Sequence, residues 1–340
     1  MSNSSLVLDS INLLPKQLAQ GVGVKIDIPK AYKNIDKIVV SGMGGSNLGA
    51  RILQSVLEHE ITVPLIINAG YEIPGYVDRN TLFVVSSYSG STEETVSAYK
   101  EAKKVKAKII VLTANGKSVL ASLANKDKYP LVIFPTDSNP SDQPRYGLPS
   151  AIGALLAILQ KTNTFKSKSK ELQSIIKHLE DWNNKLLPSK SNNSASKLAH
   201  RIFASNILLI TGEFLQGNAH TLRNQLNENS KNFACYLTLP ELNHYALEGM
   251  DKPQEKNIIC LCFESTLDSP AVQKRMALTN KVLGKNKIKV VTHKLRGKTK
   301  LEQAMEMLQV GAWITYYLAE LNNVDPIAIP WVDWFKKELK

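Results

Sequence analysis

Residues 82–100, LFVVSSYSGSTEETVSAYK, join an apolar strand-like run to a hydroxyl-rich turn and the start of a helix. Glu93 and Glu94 occupy the first turn of the predicted helix, where they favour the helix macrodipole and need no catalytic role. More hydroxyl side chains surround Gly90 than a helix cap requires. They are those of Ser86, Ser87, Ser89, Ser91 and Thr92. The pattern indicates an anion-binding loop at the end of a buried strand.

A similar strand-to-helix turn lies upstream, in KIVVSGMGGSNLGARIL over residues 37–53. Gly44 and Gly45 permit close backbone approach, and Ser46 adds a hydroxyl beside the N–H groups of the helix start. The alternative is an ordinary tight turn with Ser46 or Asn47 as the N-cap. Neighbouring parallel strands end at the same edge of a sheet, so both loops are expected to meet one ligand.

Two nucleotide-binding signatures fit the chain less well than a loop that binds a phosphomonoester. A dinucleotide fingerprint needs a third glycine where Asn47 stands, and the next strand ends in IINAG without an acidic residue for a ribose. Neither GKS at 116–118 nor GKT at 297–299 has the glycine that a nucleoside-triphosphate loop requires five residues earlier. Hydroxyls and amides without an obligatory lysine suit a phosphomonoester, and a sugar phosphate fits better than ATP.

Apolar runs alternate with longer amphipathic stretches along most of the chain, which is typical of βαβ units and a parallel sheet covered on both faces. The predicted strands are 37–41, 63–68, 82–87, 108–113, 131–135, 206–211, 234–239, 257–263 and 287–295. Predicted helices follow the two loops, to about 58 and about 105, and cover about 145–159, 170–187, 218–230, 270–284 and 300–321. The predicted fold class is therefore α/β.

Two similar domains are expected, because KIVVSG and NILLITG are both apolar strands closed by a glycine. The polar stretches TFKSKSKE and LPSKSNNSASK flank a helix between them. We therefore predict a first domain over 1–160, a helical connector over 161–198 and a second domain over 199–340.

Composition excludes several classes of protein. With 340 residues, 43% hydrophobic and 21% charged, the chain has the composition of an ordinary globular protein and not of a disordered one. No apolar run approaches the roughly 20 residues that span a bilayer, and MSNSSLVLDSINLLPK lacks the basic and apolar regions of a secretory signal. We expect a cytoplasmic protein without a membrane partner.

Cys260 and Cys262 alternate along the apolar run NIICLCF, so both are predicted to face the core from one side of a strand. The three cysteines and six histidines lack the paired spacings of zinc ligands. Neither a metal nor a cofactor is expected.

A net charge of +12 is compatible with an anionic partner, but its sign alone does not identify one. The basic residues are dispersed and few aromatic residues lie among them, which favours solvated surface over a nucleic-acid interface. We expect no nucleic-acid partner. The densest clusters, both in polar connectors, are Lys166, Lys168 and Lys170, and Lys294, Arg296, Lys298 and Lys300.

The two loops resemble those of the sugar isomerase (SIS) domain, in which serines and threonines hold a sugar phosphate. Later segments are similar to motifs of the bifunctional phosphoglucose/phosphomannose isomerases: LRNQLNENSK, YLTLPELNHYALEG and DPIAIPWVDWFKKELK. The resemblance covers nearly the whole chain. It implies two SIS-type domains, each a mainly parallel sheet flanked by helices, and interconversion of glucose 6-phosphate and mannose 6-phosphate with fructose 6-phosphate through a cis-enediolate.

The resemblance also implies roles for individual residues. Glu228 corresponds to the base that moves a proton between C2 and C1, and Arg145 to an arginine that stabilises the enediolate. His244 corresponds to a histidine of ring opening that comes from the partner subunit, which implies a homodimer. Lys336 corresponds to a lysine near the ring oxygen. The residues that correspond to phosphate-binding ones are Gly45, Ser46, Ser87, Ser89 and Thr92.

These residue types suit the chemistry. A carboxylate whose pKa is tuned by its surroundings can move a carbon-bound proton without a metal, and an arginine can stabilise the enediolate charge. A histidine with the ordinary pKa of about 6.5 suits the proton transfers of ring opening.

Each residue has a structural alternative. Glu228 can be a solvated helix residue, His244 a hydrogen-bonded turn residue and Arg145 a structural or capping contact. Lys336 can belong to a charged helix face near its C-terminus, and Lys337 is also a candidate for the working lysine.

The chain departs from the family pattern at Ser91 and Tyr245, where asparagine is common, and at Asn47, where alanine is usual. These changes affect contacts to the sugar and not the proposed catalytic groups. A non-catalytic sugar-phosphate sensor and an isomerase of another phosphosugar share the loops, but a sensor does not need Glu228, His244 and Lys336.

Overall fold

The computed structural model describes residues 2–166, 169–190, 192–251 and 257–339, and Lys168 of the predicted connector lies outside them. The chain divides into two compact units. The N-terminal unit is Leu13–Glu180, and the C-terminal unit is Asp181–Lys340 together with Met1–Asn12. The bounds of these units differ from those of the predicted domains, 1–160 and 199–340. The predicted domain division stays a prediction.

Helices and strands alternate along most of the chain. The helices are α1 (Asn3–Asn12), α2 (Leu14–Val22), α3 (Gly45–Val56), α4 (Glu93–Lys104), α5 (Val119–Asp127), α6 (Leu148–Lys161), α7 (Ser169–Leu186), α8 (Ser194–Ile202), α9 (Gln216–Asn229), α10 (Ala246–Gly249), α11 (Pro270–Lys285), α12 (Lys300–Leu321) and α13 (Pro330–Glu338). The strands are β1 (Lys37–Ser41), β2 (Leu65–Asn68), β3 (Thr81–Ser87), β4 (Lys108–Thr113), β5 (Leu131–Ile133), β6 (Asn206–Thr211), β7 (Ala234–Thr238), β8 (Ile258–Glu264) and β9 (Lys289–Lys294).

The N-terminal unit contains a five-stranded parallel sheet in the order β2-β1-β3-β4-β5. Val39 of β1 pairs with Ile66 on one side and Phe83 on the other. Every residue of β3 is buried, as expected for a central strand with helices on both faces. The predicted α/β fold with a parallel sheet is confirmed here.

Close packing of α2 on α6 fixes the helix that follows Arg145. A Cβ atom on Gly21 would lie 2.2 Å from the Ser150 carbonyl oxygen, and one on Gly153 would lie 2.5 Å from the Val22 nitrogen. Glycine at both positions therefore allows the two backbones to approach each other, which holds the start of α6 in place.

The C-terminal unit contains a four-stranded parallel sheet in the order β7-β6-β8-β9. This repeats the order β2-β1-β3-β4, so the predicted similarity of the two α/β halves is confirmed. Cys260 and Cys262 are buried in the core of this unit, as predicted.

Helix α12 is buried along most of its length in the C-terminal unit. Its Trp313 is fully buried, and the indole Nε1 donates a hydrogen bond of 2.8 Å to Asn183 Oδ1. Helix α1 packs on α12, where Ser4 Oγ donates to Glu320 Oε1 at 2.5 Å. None of the helices in the described part of the chain has the length and apolar character needed to cross a bilayer.

Candidate functional site

The two hydroxyl-rich loops lie together at the carboxyl edge of the N-terminal sheet, because they follow the paired strands β1 and β3. The backbone N–H of Tyr88 donates to Ser46 Oγ at 2.9 Å. Ser86 Oγ donates to the Ser46 carbonyl oxygen at 2.8 Å. These hydrogen bonds join the first loop to the second, so two hydroxyl-bearing turns form one polar surface.

The start of α3 differs from the tight turn that the sequence also allowed, in which Ser46 or Asn47 is the N-cap. Gly44, with a φ of 49°, is the N-cap, and Ser46 and Asn47 lie inside the helix. The Asn47 side chain instead donates to the Gly42 carbonyl oxygen at 2.8 Å. Among the described residues no side chain caps this helix start. The N–H groups of Ser46 and Asn47 donate to the Met43 and Gly44 carbonyl oxygens at 3.0 and 3.3 Å, and the positive end of the helix macrodipole still favours an anion here.

The second loop turns tightly before α4. Ser87 Oγ and Thr92 Oγ1 lie 3.0 Å apart, at hydrogen-bonding distance, and Ser87 Oγ also accepts the Gly90 N–H at 3.1 Å. Ser89 is exposed, and its hydroxyl accepts the Ser91 N–H at 3.4 Å. Hydroxyls and backbone N–H groups thus surround the start of α4, where the helix macrodipole favours negative charge.

Arg145 lies on a 3-10 turn, Pro144–Tyr146, that packs against the first loop. A Cβ atom on Gly45 would lie 2.9 Å from Pro144 Cβ, so glycine at this position permits the contact. The Arg145 side chain is only 4% exposed, and its Nη1 donates to Gln143 Oε1 at 3.0 Å. A buried cation beside a loop rich in donors is suited to stabilising an anionic ligand.

Tyr88 was given no role from the sequence, although it is the one large aromatic side chain within the serine-rich turn. Its hydroxyl donates to Asp142 Oδ1 at 3.0 Å and accepts from Asn139 Nδ2 at 3.1 Å. Burial, followed by the Asp142 charge, raises the pKa of Tyr88. The ring also packs edge-on against Phe134. Tyr88 therefore anchors the second loop to residues 134–142. The sequence feature that could have pointed to this role is the position of Tyr88 between two serines.

Replacing Gly90 by alanine should destabilise the second loop. Gly90 has a φ of 67°, and a Cβ atom there would lie 2.1 Å from Ser118 Oγ and 2.4 Å from Ser118 Cβ. We expect a loss of about 2 kcal/mol in unfolding free energy, since backbone strain and a buried clash add. Denaturant unfolding measures this loss, and calorimetric titration with inorganic phosphate should detect weaker binding.

Gly75→Ala is the matched control for that substitution. A Cβ atom at Gly75 meets nothing within 4 Å in the described part of the chain. The control should leave stability and phosphate binding almost unchanged. Equal stability of the two alanine variants would contradict the tight packing of the loop on Ser118.

The corresponding edge of the C-terminal sheet has different chemistry. Gly212 directly follows β6 as Gly42 directly follows β1, but a Cβ atom on Gly212 would lie 2.2 Å from Asp268 Oδ1. The pKa of Asp268 is raised to about 6 by burial; the Lys300 charge lowers it and the Glu213 charge raises it. In its ionised form Asp268 opposes a phosphate at this edge.

The other predicted catalytic residues belong to the C-terminal unit. Glu228 is half-buried near the end of α9. His244 is exposed on the 3-10 turn Glu241–His244. Lys336 and Lys337 are both exposed on α13, so the geometry of this helix does not choose between them.

Lys231, which also had no predicted role, connects α9 to the segment before α13. Its Nζ donates to the carbonyl oxygens of Glu228, Asp325 and Ala328, each at 2.7 Å, and makes a longer contact of 3.5 Å with the Asn229 carbonyl oxygen. An ammonium group has three donors and no acceptor, so this arrangement uses its full capacity. Lys231 thus ties the backbone of Glu228 to the chain that leads into Lys336.

Replacing Lys231 by methionine should loosen that segment. Methionine keeps an unbranched stem at the same positive φ of 57° but cannot donate to the carbonyls. We expect amide exchange over residues 325–338 to accelerate about tenfold, measured by mass spectrometry. Lys274→Met, at an exposed position on α11, is the control. Unchanged exchange in Lys231→Met would mean that other contacts hold the segment.

Metal ligation has no support in the described part of the chain, which contains no group of three or more His, Cys, Asp or Glu side chains placed to hold a metal ion. The candidate residues supply hydroxyls, backbone N–H groups, a buried guanidinium, a carboxylate, an imidazole and an ammonium group. Such a set can bind a phosphorylated ligand and transfer protons.

Two domain families match the chain. The SIS domain matches residues 31–134, and the bacterial phospho-glucose isomerase C-terminal SIS domain matches residues 191–339. The fold is similar to that of a hypothetical protein from Thermus thermophilus, with a TM-score of 0.77 and 16% identity over 98% of this chain and 89% of that chain. Fold and loops together define the class of SIS-domain proteins.

Sequence similarity to curated relatives is more specific. A bifunctional phosphoglucose/phosphomannose isomerase from Caldicellulosiruptor bescii is 30% identical, over 98% of this chain and 98% of the relative. The protein of the same name from Thermoplasma volcanium is 32% identical, over 93% and 96%. The chain therefore belongs to the family of bifunctional phosphoglucose/phosphomannose isomerases, and the predicted resemblance is confirmed.

Proposed function

We propose that this protein is an aldose-ketose isomerase that interconverts glucose 6-phosphate and mannose 6-phosphate with fructose 6-phosphate. The observation that carries the proposal is the joined pair of hydroxyl-rich loops beside the buried Arg145, in a member of this family. The names of its relatives specify both activities. The pathway roles that follow are glycolysis and gluconeogenesis, in the cytoplasm.

In the proposed site the substrate phosphate binds to the two loops. Their hydroxyls donate to phosphate oxygens, and the starts of α3 and α4 partly balance its charge. No lysine is needed for this, since backbone N–H groups supply much of the binding. The residues proposed to bind the phosphate are Gly45, Ser46, Ser87, Ser89 and Thr92.

Glu228 is the proposed base of the isomerisation step. Its carboxylate removes the proton from C2 of the open-chain aldose; the C2–H electrons form the C1=C2 double bond and the carbonyl π electrons move to O1, which gives the enediolate. The ketose forms when Glu228 returns the proton to C1, the C2 hydroxyl proton passes to O1, and the C2=O bond is made from the O2 electrons. Arg145 stabilises the negative charge that develops on the enediolate oxygens. Because C2 is planar in this intermediate, the reverse step can add the proton to either face, which accounts for both aldose epimers.

Ring opening needs a base and an acid of its own. His244 is proposed to accept the proton of the anomeric hydroxyl, and Lys336 to assist at the ring oxygen. The proposed active unit is a homodimer in which His244 acts in the partner's site. The exposure of His244 supports this, as do the exposed aromatic side chains of α13, because contiguous exposed apolar surface marks interaction sites.

The experiment is to incubate the protein with fructose 6-phosphate in buffer containing EDTA and to quantify glucose 6-phosphate and mannose 6-phosphate separately. Formation of both aldoses is expected, and their ratio gives the epimer preference. Binding of fructose 6-phosphate without either product would favour the sensor, and absence of binding would refute the hexose-phosphate assignment.

A further inference from the structure

A large open cavity lies within the C-terminal unit, between the end of α7, the start of α8 and the loop after β9. Its volume is about 920 Å³, which accommodates a small metabolite. The cavity adjoins the carboxyl end of β9, the edge at which open parallel sheets bind ligands. None of the residues proposed for catalysis or phosphate binding is among the described residues that line it.

Cationic side chains predominate in the lining of this cavity. The acidic side chains there are Asp181 and Glu306, and twice as many cationic ones face them: Lys185, Lys190, Lys197 and Arg296. The excess positive charge favours an anionic ligand. Arg296 is one of the basic residues that the sequence pattern assigned to solvated surface. In the structure it lines a concave site.

His293 distinguishes this cavity from a solvated basic groove. Its side chain is only 8% exposed and packs edge-on against Phe263. Nε2 lies 4.0 Å from Glu306 Oε1, beyond hydrogen-bonding distance, and has no hydrogen-bond partner among the described residues. The other Glu306 oxygen accepts the N–H groups of Arg296 and Gly297 at 2.7 and 3.0 Å. A buried polar atom without a partner is costly, and a ligand atom at Nε2 removes that cost.

The protonation state of His293 suits such a contact. Burial, followed by the positive charge of Arg296, lowers the pKa of this imidazole to about 4. The ring is therefore neutral at pH 7, and one ring nitrogen carries a proton that can be donated to an oxygen atom.

The start of α8 also opens on the cavity, through Ser194. Asn193 caps this helix by accepting the Ser196 N–H at 3.1 Å, and the macrodipole still favours an anion nearby. The half-buried Trp182 adds a flat apolar surface beside the cationic groups. Charge and aromatic surface together suit a phosphate joined to a ring.

We propose that this cavity binds a second ligand, a phosphate-bearing metabolite with a ring that packs on Trp182. Lys185, Lys197 and Arg296 hold its phosphate, and His293 Nε2 donates to one of its oxygen atoms. Isomerisation requires no such ligand, so the site goes beyond the proposed function and supplies a place for regulation by a phosphorylated compound.

The test uses the whole 340-residue chain carrying Ser46→Ala and Ser87→Ala, which weaken phosphate binding at the two loops. Calorimetric titration with adenosine 5′-monophosphate should detect one site per chain, with higher affinity than inorganic phosphate. Adding Lys185→Gln and Lys197→Gln should weaken the nucleotide at least about tenfold, as expected when charge-assisted hydrogen bonds are lost.

Controls distinguish this site from general attraction to a basic surface. Lys177→Gln with Lys281→Gln removes two exposed lysines outside the cavity lining and should leave affinity unchanged. Trp182→Ala should weaken the nucleotide and spare inorganic phosphate. The proposal is overturned if the nucleotide does not bind, if it binds no better than inorganic phosphate, or if its binding survives Lys185→Gln with Lys197→Gln.

Discussion

Glu228→Gln should reduce the formation of both aldose phosphates from fructose 6-phosphate by about 1,000-fold, within the range of general acid–base catalysis. Glutamine keeps the size of the side chain and a carbonyl oxygen but cannot take up the proton that moves between the two carbons. The same group serves both epimers in the proposed mechanism. Glucose 6-phosphate and mannose 6-phosphate formation should therefore fall by the same factor.

Proton exchange with solvent tests the same proton-transfer step directly. Wild-type enzyme in deuterium oxide should place deuterium at C2 of the aldose phosphates formed from fructose 6-phosphate, since the proton taken up by Glu228 can exchange with solvent before it is delivered to C2, and Glu228→Gln should lose this incorporation along with turnover. Glu60→Gln, an exposed substitution in the turn after α3, is the matched control and should retain wild-type rates. Substantial turnover by Glu228→Gln would assign the base to another residue.

The sheets were predictable because each strand is a short apolar run between polar turns. The predicted strands 37–41, 108–113 and 206–211 agree with the observed ones to the residue. The helix 300–321 was also predicted correctly, from a long helical pattern that continues through Gly311. Parallel pairing followed from the alternation with helices, and it placed both loops at one edge.

Several helices were missed because tertiary contacts, and not a local pattern, define them. Helix α8 begins in the polar stretch SNNSASK, and only four of its residues are buried: Ala195, Leu198, Ala199 and Ile202. Helix α1 packs on α12, more than 300 residues away in the chain, through Ser4 and Glu320. A sequence window does not contain such contacts.

The candidate site was predictable only in part, because some of its contacts join residues that are far apart in the sequence. Ser46, Ser87 and Thr92 stand in recognisable strand-to-helix turns, and the structure brings them to one sheet edge. The roles of Tyr88 and Lys231 depend on partners far along the chain, at Asp142 and Ala328. Side-chain partners at that separation follow from the folded backbone and not from local spacing.

Arg145→Lys should lower kcat about 100-fold and change KM little. Lysine keeps the positive charge but replaces the planar, multiple-donor guanidinium by a single point charge on a flexible stem. In the proposed mechanism Arg145 meets charge that develops fully only on the enediolate, so its loss raises the barrier more than it weakens substrate binding. Steady-state kinetics in the direction of aldose formation measure both constants.

The alternative role of Arg145 is structural, and the same variant tests it. The side chain is 4% exposed and donates to Gln143, so lysine there should also reduce the unfolding free energy, by about 1 kcal/mol. Arg79→Lys, at an exposed position, should affect neither stability nor kinetics. A stability loss with unchanged kcat would leave Arg145 as a support of the first loop only. A fall in kcat at temperatures where the variant is fully folded requires that the guanidinium act on the reacting sugar.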